Sequence, residues 1–320
     1  CQRLPRMKTV IPLIAQLSEA ETAAWLAVLK LALPNCTVVL AADLSAAQRA
    51  TVEVAIVANP DPADLLALPR LRWVQSLWAG VERLVAETAG AEFAIVKMSD
   101  PQLAATMAEA VLAWTLYLHR DMPRYQAQQR DQIWQQHFLP LPSQRTIGLL
   151  GLGDLGTQAA ERLVQQGFTV CGWSRTLRAI AGVETFSGEA GLNDVLQQSQ
   201  IVVCLLPLTK TTHHRINHQT LALLPQGASL INFARGAIVD TDALMKHLDC
   251  GHLSHAVLDV FDTEPLPSHS PLWHHPQITV LPHIAAPTNK QTAALVAATN
   301  IDRFLAHGEI PPSVDRQRGY

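Results

Sequence analysis

Three side chains that could bind or transfer charge each follow an apolar run in the second half of the chain. Arg235 lies in SLINFARGAIVD, Glu264 in LDVFDTEPLP and His283 in ITVLPHIAAP. If these runs are parallel strands, their carboxyl ends meet at one edge of the sheet, where ligands bind. An arginine there can clamp a carboxylate and polarise the adjacent carbonyl, and a histidine can pass a proton to the carbonyl oxygen. A carboxylate bonded to the other imidazole nitrogen would fix the tautomer of the ring.

Each of these residues also has a purely structural interpretation. Arg235 could form a salt bridge, Glu264 could be an exposed turn residue, and His283 is one of thirteen histidines. Because all three occur at the ends of successive strands, a shared reaction site is the interpretation that the pattern favours.

A glycine pattern occurs earlier, in TIGLLGLGDLGTQAAERLVQQGFTV. Gly151, Gly153 and Gly156 form G-x-G-x-x-G directly after a predicted strand and at the start of a predicted helix. Glycines at this spacing allow a tight turn, close approach of a pyrophosphate to the backbone and close packing of helix on strand. Glycines also occur in ordinary turns, but the strand, helix and second strand around them favour dinucleotide binding.

The second strand of this unit ends in CGWSRTLR, where dinucleotide sites usually carry an acid for the ribose 2′-hydroxyl. This segment contains no acid and offers Ser174, Arg175 and Arg178. A carboxylate would repel a 2′-phosphate, whereas Arg175 can bind it bidentately and Ser174 can donate to it. The segment therefore predicts NADPH or NADP as cofactor, with NADH weaker. The alternative is that Arg175 is an ordinary surface arginine.

These residues need a scaffold of buried strands, which the chain supplies as short apolar runs alternating with amphipathic segments. Apolar runs flanked by helices are typical of strands covered on both faces, as in a doubly wound parallel sheet. Long helices are predicted from Leu103 to His119 and from Asn289 to Leu305. The predicted strands are Val10–Ala15, Thr37–Ala41, Val54–Ala58, Trp73–Leu77, Thr146–Leu150, Thr169–Trp173, Ile201–Leu206, Ser229–Phe233, Ala256–Val260 and Ile278–Leu281.

Composition predicts two domains and argues against two classes of partner. The chain has 320 residues, 48% of them hydrophobic, and a formal net charge of −3. A chain of this length usually forms two cores. With no basic excess and no run of 18 apolar residues, neither a nucleic-acid nor a membrane partner is expected. Five widely spaced cysteines favour buried thiols in a reducing compartment, and we expect the cytoplasm.

The start MKTVIPLIAQ could resemble a signal peptide, because a lysine precedes apolar residues. Pro12 interrupts the apolar part, and SEAETAAWLAVLK continues as a serine-capped helix, so we expect a first strand and helix instead. Whether the six residues before Met7 belong to the native chain is left open.

From about Leu71 onward the sequence resembles the D-isomer-specific 2-hydroxyacid dehydrogenases. The resemblance is carried by GLGDLG, NFARGAIVD, LDVFDTEPLP and PHIAA. Within that family, WSR, SPLWHHP and the closing VDRQRGY are most similar to the glyoxylate/hydroxypyruvate reductase A branch.

The resemblance implies a particular architecture. A Rossmann-type NAD(P)-binding domain, residues 102–287, would be inserted into a discontinuous flavodoxin-like substrate domain formed by residues 1–101 and 288–320. Both domains would be doubly wound parallel sheets, with an active-site cleft between them. Members of the family are usually homodimers joined through their cofactor domains.

The resemblance also implies the roles given above for Arg235, Glu264 and His283, and it adds substrate contacts. QSLWAGVE matches the family's carboxylate-binding loop, so the backbone amides of Ala79 and Gly80 are expected to bind an anion. Trp78 replaces a smaller residue common at that place, and Trp134 either reaches a neighbouring subunit's site or anchors its own loop. No metal ligands are expected. The predicted cofactor contacts are Gly151, Gly153, Asp154, Leu155, Gly156, Ser174, Arg175, Arg178, Leu206, Pro207, Phe233, Ala234 and Asp259.

The function expected from these features is NADPH-dependent reduction of small 2-keto acids, glyoxylate to glycolate and hydroxypyruvate to D-glycerate. Two alternatives stay open, a non-catalytic dinucleotide sensor and a related D-2-hydroxyacid dehydrogenase with a larger substrate. A formate dehydrogenase is disfavoured by Glu264, because that branch has an amide there. A phosphoglycerate dehydrogenase is disfavoured by the Arg175 segment and by the absence of a regulatory extension.

Overall fold

The computed structural model describes residues 8–317, which divide into two compact units. One unit comprises the described residues up to Gln102 and from Thr288 onward, and the other is Leu103–Pro287. The residues before Met7 and the last three residues of VDRQRGY lie outside the described range.

Both units are built from parallel strands and covering helices. The strands within residues 8–317 are β1 Thr9–Ala15, β2 Cys36–Leu40, β3 Val54–Ala58, β4 Trp73–Ser76, β5 Ala94–Val96, β6 Thr146–Leu150, β7 Thr169–Trp173, β8 Val183–Phe186, β9 Ile201–Cys204, β10 Ala228–Asn232, β11 Leu253–Leu258 and β12 Ile278–Val280. The α-helices are α1 Glu19–Ala32, α2 Ala46–Arg49, α3 Pro62–Leu66, α4 Glu82–Glu87, α5 Pro101–His119, α6 Met122–Arg130, α7 Asp154–Gln165, α8 Gly188–Gln198, α9 His218–Leu221, α10 Thr241–Asp249 and α11 Lys290–His307.

The first unit has a five-stranded parallel sheet in the order β2-β1-β3-β4-β5, which is the flavodoxin-like order. Its β3, VAIVA, is buried at all five positions because helices cover both faces of the sheet. One face packs on α1 and α11, where Trp25, Leu29, Ala297 and Ile301 are buried. The C-terminal helix therefore belongs to the same core as the N-terminal strands.

Helix α1 illustrates why these segments form where they do. Ser18 caps its first turn by accepting a hydrogen bond from the backbone N–H of Glu21. Glu19 and Glu21 lie in the first turn and Lys30 in the last, which suits the helix dipole. Trp25 and Leu29, four residues apart, form the buried stripe that holds the helix on the sheet.

The second unit has a seven-stranded parallel sheet in the order β12-β11-β10-β9-β6-β7-β8. Counted from β6, this is the Rossmann order with one additional strand. The strand order reverses direction at β6, so the carboxyl ends of β6 and β9 flank the crevice where such sheets bind ligands. The predicted fold class is thus confirmed for both units.

Two strands were not predicted from the sequence. Strand β5 has only three residues, and β8 has no fully buried residue. Both lie at the edge of a sheet. Strand β5 is too short to stand out as a strand, and VETF in β8 is not a continuous apolar run. The predicted strand from Ile201 to Leu206 ends at Cys204, because Leu205 and Leu206 belong to the loop beside the glycine turn.

Candidate active site

The glycine motif forms the turn between β6 and α7. Gly151 has φ 106°, a left-handed conformation that favours glycine, and its N–H donates to the Trp173 carbonyl at 2.8 Å. A Cβ on Gly156 would lie 1.8 Å from the carbonyl oxygen of Gly151. Two of the three glycines are therefore required by the turn and by the packing of α7 against it.

Gly153 has a different role, because a Cβ there would meet nothing within 4 Å. Its φ of −74° is open to any residue, and it precedes the first residue of α7, Asp154. Among residues 8–317 no side chain caps this 12-residue helix, so its first N–H groups, including that of Leu155, can face an anion. Open space and uncapped amides fit the pyrophosphate of a dinucleotide.

The turn after β7 carries the residues predicted to read the cofactor's ribose. The Ser174 N–H donates to the Phe186 carbonyl at 3.1 Å, and its hydroxyl donates to the Thr176 carbonyl at 2.8 Å. Thr185 donates to the carbonyl of Arg178 at 2.5 Å. Strand β8 thus shapes this turn, and Arg175 and Arg178 lie on its exposed side.

Four predicted cofactor contacts lie in the loops after β9 and β10. Leu206, Phe233 and Ala234 are buried, and the Pro207 carbonyl accepts a hydrogen bond from Thr212 at 2.6 Å. The loop after β9 is close to the glycine turn, since a Cβ on Gly151 would lie 2.8 Å from the Leu205 carbonyl oxygen.

Arg235 is held in its loop by a buried asparagine that sequence reasoning did not single out. The Asn232 side chain accepts from the Ala234 N–H at 3.1 Å and donates to the Arg235 carbonyl at 3.0 Å. The Arg235 guanidinium donates to the Ala234 carbonyl at 2.6 Å. A Cβ on Gly236 would lie 2.1 Å from the carbonyl carbon of Phe261, so the Arg235 loop packs directly on the loop that carries Glu264.

Glu264 and His283 are in direct contact. Glu264 Oε2 lies 2.7 Å from His283 Nδ1, and Glu264 Oε1 accepts from the Phe261 N–H at 2.9 Å. The two side chains are 34% and 52% exposed, so both remain accessible to a ligand. Nε2 of His283 has no hydrogen-bond partner among residues 8–317. His283 also has φ 55°, an uncommon conformation for a non-glycine residue and one in which histidine is enriched.

Asp259, predicted as a cofactor contact, holds the loop of His283. Its two carboxylate oxygens accept from the N–H of Ile284 at 2.6 Å and of Ala285 at 2.9 Å. Burial raises the pKa of the Asp259 carboxyl above its ordinary value, while those two hydrogen bonds and nearby His283 oppose the shift. The residues next to His283 are therefore fixed from the end of the neighbouring strand, and contact between Asp259 and the cofactor stays a prediction.

The predicted carboxylate loop follows β4 in the first unit. Ser76 Oγ accepts from the Trp78 N–H and donates to the Trp78 carbonyl, both at 3.0 Å. The same carbonyl accepts from the Met98 N–H at 3.0 Å. Within the described residues, the N–H groups of Ala79 and Gly80 have no acceptor. This loop presents two available donors on a rigid frame.

Trp134 lies in the segment after α6 and is 99% exposed. This exposure contradicts the interpretation that Trp134 anchors its own loop, because the side chain is not packed against any of residues 8–317. The segment is held instead by polar contacts such as His137 Nε2 to Gln128 Oε1 at 2.8 Å.

Comparison with known proteins establishes the family. Residues 112–285 match the sequence model of the D-isomer specific 2-hydroxyacid dehydrogenase NAD-binding domain, more than half of the 320 residues. The chain belongs to the D-isomer-specific 2-hydroxyacid dehydrogenase family, and its cofactor is NAD(P).

Solved structures of whole proteins agree with this assignment. A D-isomer specific 2-hydroxyacid dehydrogenase from Xanthobacter autotrophicus Py2, in complex with NADPH and MES, is 37% identical with a TM-score of 0.90, over 98% of this chain and 100% of that one. An NADPH-dependent glyoxylate/hydroxypyruvate reductase from Sinorhizobium meliloti, in complex with NADP and sulfate, is 31% identical with a TM-score of 0.89 and the same coverage. A probable 2-hydroxyacid dehydrogenase from Rhizobium etli CFN 42, with NADP, HEPES and L(+)-tartaric acid, is 29% identical with a TM-score of 0.89, over 98% and 99% of the two chains.

None of the helices within residues 8–317 is both long and apolar enough to cross a membrane. In the same range, no group of three or more His, Cys, Asp or Glu residues has the arrangement of a metal site.

Proposed function

We propose that this protein reduces small 2-keto acids such as glyoxylate and hydroxypyruvate to the corresponding 2-hydroxy acids, with NADPH as reductant. The observation that carries the proposal is the contact of Glu264 Oε2 with His283 Nδ1 at 2.7 Å. Asp259 binds the N–H groups of the two residues that follow His283. A histidine oriented in this way suits proton donation to a carbonyl oxygen.

In the proposed reaction each of these residues has a distinct role. Glu264 accepts a hydrogen bond from the Nδ1–H of His283, so Nδ1 keeps its proton. The proton passed to the substrate therefore comes from Nε2 of His283. Arg235 binds the substrate carboxylate and polarises the adjacent carbonyl. The N–H groups of Ala79 and Gly80 supply further donors for the carboxylate. A nicotinamide, when bound, would supply the hydride for the carbonyl carbon, which together with the proton from His283 converts the keto acid into the hydroxy acid.

The preference for NADPH rests on the turn after β7. Ser174 and Arg175 stand where an acid would bind the 2′-hydroxyl of NADH, and Arg178 lies on the same turn. The crystallised relatives from X. autotrophicus and S. meliloti contain NADPH and NADP, which supports the same choice. Asp154, Leu155, Leu206, Pro207, Phe233 and Ala234 are proposed to complete the cofactor site.

The experiment that tests the activity follows NADPH absorbance with a panel of 2-keto acids of increasing size, each repeated with NADH. We expect efficient oxidation of NADPH with glyoxylate and hydroxypyruvate and slower oxidation of NADH. Activity only with larger keto acids would replace the substrate assignment, and tight NADPH binding without turnover of any keto acid would favour a sensor.

We further propose that the protein forms a homodimer through the unit that contains the cofactor motif. Trp134 and Phe138 are 99% and 86% exposed on one segment, and large apolar side chains exposed together commonly mark a contact surface. The partner is a second copy of this chain. Sedimentation of the wild type and of a Trp134→Ser, Phe138→Ser variant tests it, with Leu31→Ser on another exposed apolar residue as control.

The cysteines support a reducing compartment, and we propose the cytoplasm. Cys36, Cys171 and Cys204 are buried free thiols, and Cys250 is exposed and unpaired. Burial raises the pKa of Cys171 to about 11 and of Cys204 to about 12, which keeps both thiols protonated and unreactive. Fractionation of the producing cells tests the location.

A further inference from the structure

Asn59 follows β3 at the same edge of the sheet as the predicted carboxylate loop. Strands β3 and β4 are parallel neighbours, with Val57 opposite Ser76. The Leu77 N–H donates to the Val57 carbonyl at 2.9 Å, which continues the pairing to the point where both chains leave the sheet. The two loops are therefore adjacent although 19 residues separate Asn59 from Trp78.

The side chain of Asn59 holds the indole of Trp78. Trp78 Nε1 donates to Asn59 Oδ1 at 3.1 Å. The indole also packs edge to face on Trp25, with ring centroids 5.9 Å apart and planes at 76°. Ser76 and Met98 bind the N–H and carbonyl of Trp78, and Asn59 binds its side chain, so Trp78 is held at both ends of the residue that leads into Ala79.

The backbone of Asn59 is specialised for this position. Its φ is 50°, in the left-handed region that only glycine adopts without strain and that asparagine tolerates better than most residues. Asparagine combines this conformation with an amide oxygen that can accept from the indole. Glycine at residue 59 would keep the backbone conformation and remove only the acceptor.

We infer that Asn59 is a positioning residue for substrate binding. By holding Trp78, it fixes the direction in which the next two N–H groups, those of Ala79 and Gly80, present themselves to the substrate carboxylate. The inference rests on the proposed function, in which these amides bind a 2-keto acid. Asn59 is an exposed loop residue, and its role would be to orient the binding loop and not to contact the substrate itself.

The test compares Asn59→Gly with the wild type. Loss of one hydrogen bond that orients the loop should raise KM for glyoxylate about fivefold to tenfold. The kcat value and the KM for NADPH should stay within about twofold, because neither His283 nor the glycine turn is altered. Asn35→Gly, at an exposed asparagine of the same unit, is the matched control and should leave every constant unchanged.

A double-mutant cycle separates positioning from general loop support. Trp78→Phe removes the donor of the same hydrogen bond, so its effect on KM and that of Asn59→Gly should not multiply in the double variant. Multiplicative effects, an unchanged KM in Asn59→Gly, or equal changes in kcat and in the KM for NADPH would overturn the inference.

Calorimetric binding of oxamate in the presence of NADPH distinguishes this inference from the proposed function. Oxamate is an amide isostere of a 2-keto acid and carries the carboxylate without accepting hydride. If the wild type binds oxamate but reduces no keto acid, weaker binding in Asn59→Gly sustains the inference while the proposed function fails. If the wild type reduces keto acids and Asn59→Gly binds oxamate as tightly as the wild type does, the inference alone fails. A wild type that neither binds oxamate nor reduces a keto acid overturns both the inference and the proposed function.

Discussion

At the scale of single residues, the candidate acid–base pair is oriented by groups that are themselves held. Glu264 bonds His283 through one oxygen and the Phe261 N–H through the other, so the carboxylate cannot rotate without losing a hydrogen bond. Asp259 binds the two amides that follow His283. Such support keeps the imidazole in place before a substrate arrives, which is how protein groups lower a barrier without reorganising.

We therefore predict that Glu264→Gln lowers kcat/KM for keto acid reduction by roughly tenfold to a hundredfold. An amide weakens a charge-assisted hydrogen bond worth about 1.5–3 kcal/mol and no longer imposes one tautomer. Steady-state kinetics measure the loss, and Asp262→Asn, at an exposed acid of the same loop, serves as control. Equal kinetics for the Glu264 variant and the control would exclude the orienting role.

Arg235 is predicted to act through the geometry of its guanidinium as well as through its charge. Arg235→Lys keeps the charge but loses the planar fork, so kcat/KM should fall by about two orders of magnitude, or about 3 kcal/mol. The midpoint of urea unfolding should hardly change. A lysine variant with near-normal efficiency would remove Arg235 from the carboxylate-binding set.

For Arg175 the prediction is an asymmetry between cofactors. Arg175→Ala should weaken the use of NADPH by about one to two orders of magnitude, since a charge-assisted bond to phosphate contributes about 1.5–3 kcal/mol. Use of NADH should be nearly unchanged, because NADH has no 2′-phosphate. Kinetics with both cofactors on both proteins give the answer, and losses of the same size would point to a structural role.

At the scale of elements, the glycines in the turn from β6 into α7 have different roles: one is required for packing, and another leaves space for a ligand. Gly156 has no room for a Cβ because the Gly151 carbonyl lies against it, whereas the space at Gly153 is open. The same three-glycine pattern thus contains one position that serves the fold and another whose space suits a ligand.

This difference predicts opposite outcomes for two alanine variants. Gly156→Ala should lower the free energy of unfolding by about 1–3 kcal/mol, because the added methyl group overlaps a backbone oxygen. Gly153→Ala should cost about 1 kcal/mol at most, since alanine is a poorer N-cap than glycine, and reduce NADPH affinity, since its methyl group occupies the space left for the pyrophosphate. Urea unfolding and fluorescence titration with NADPH measure both quantities. Tight NADPH binding by Gly153→Ala would contradict the assignment of this turn.

At the scale of the whole molecule, buried histidines connect stability to pH. His255 on β11 is 6% exposed, and its Nε2 lies 2.8 Å from Thr279 Oγ1. Burial, with a further contribution from His275, lowers the pKa of His255 to about 4. Burial also lowers the pKa values of His119 and His247. Folding therefore disfavours the protonated form of all three histidines relative to the neutral form.

The resulting prediction is a loss of stability in mild acid. Between the unfolded pKa near 6.5 and the folded pKa near 4, the unfolded chain binds more protons, so the free energy of unfolding falls as pH falls. For His255 alone the loss at pH 5 is about 2 kcal/mol. Urea unfolding from pH 7.5 to pH 5 should therefore show a smaller slope in His255→Gln than in the wild type, with a residual slope from the other two histidines. Identical slopes would show that His255 does not carry this dependence.

The sequence by itself determined the features that depend on local sterics and on periodicity. The turn at Gly151 and the helix after it are predictable, because the conformational demands fall on residues close together in the chain. The buried runs predict parallel sheets, and the ends of those runs single out Arg235, Glu264 and His283. Strand β5 was missed because three residues make too short a run, and β8 was missed because VETF has no buried residue and no continuous apolar signal.

Only the tertiary structure decided which of these residues touch. Glu264 and His283 meet across 19 residues of sequence, and Asp259 binds amides 25 and 26 residues away. Such contacts depend on which strands are neighbours and in what register, and neither quantity is encoded in the spacing of apolar residues along one segment. The same reason hid the contact of Asn59 with Trp78, which exists because β3 lies beside β4 and both chains leave the sheet at the same edge.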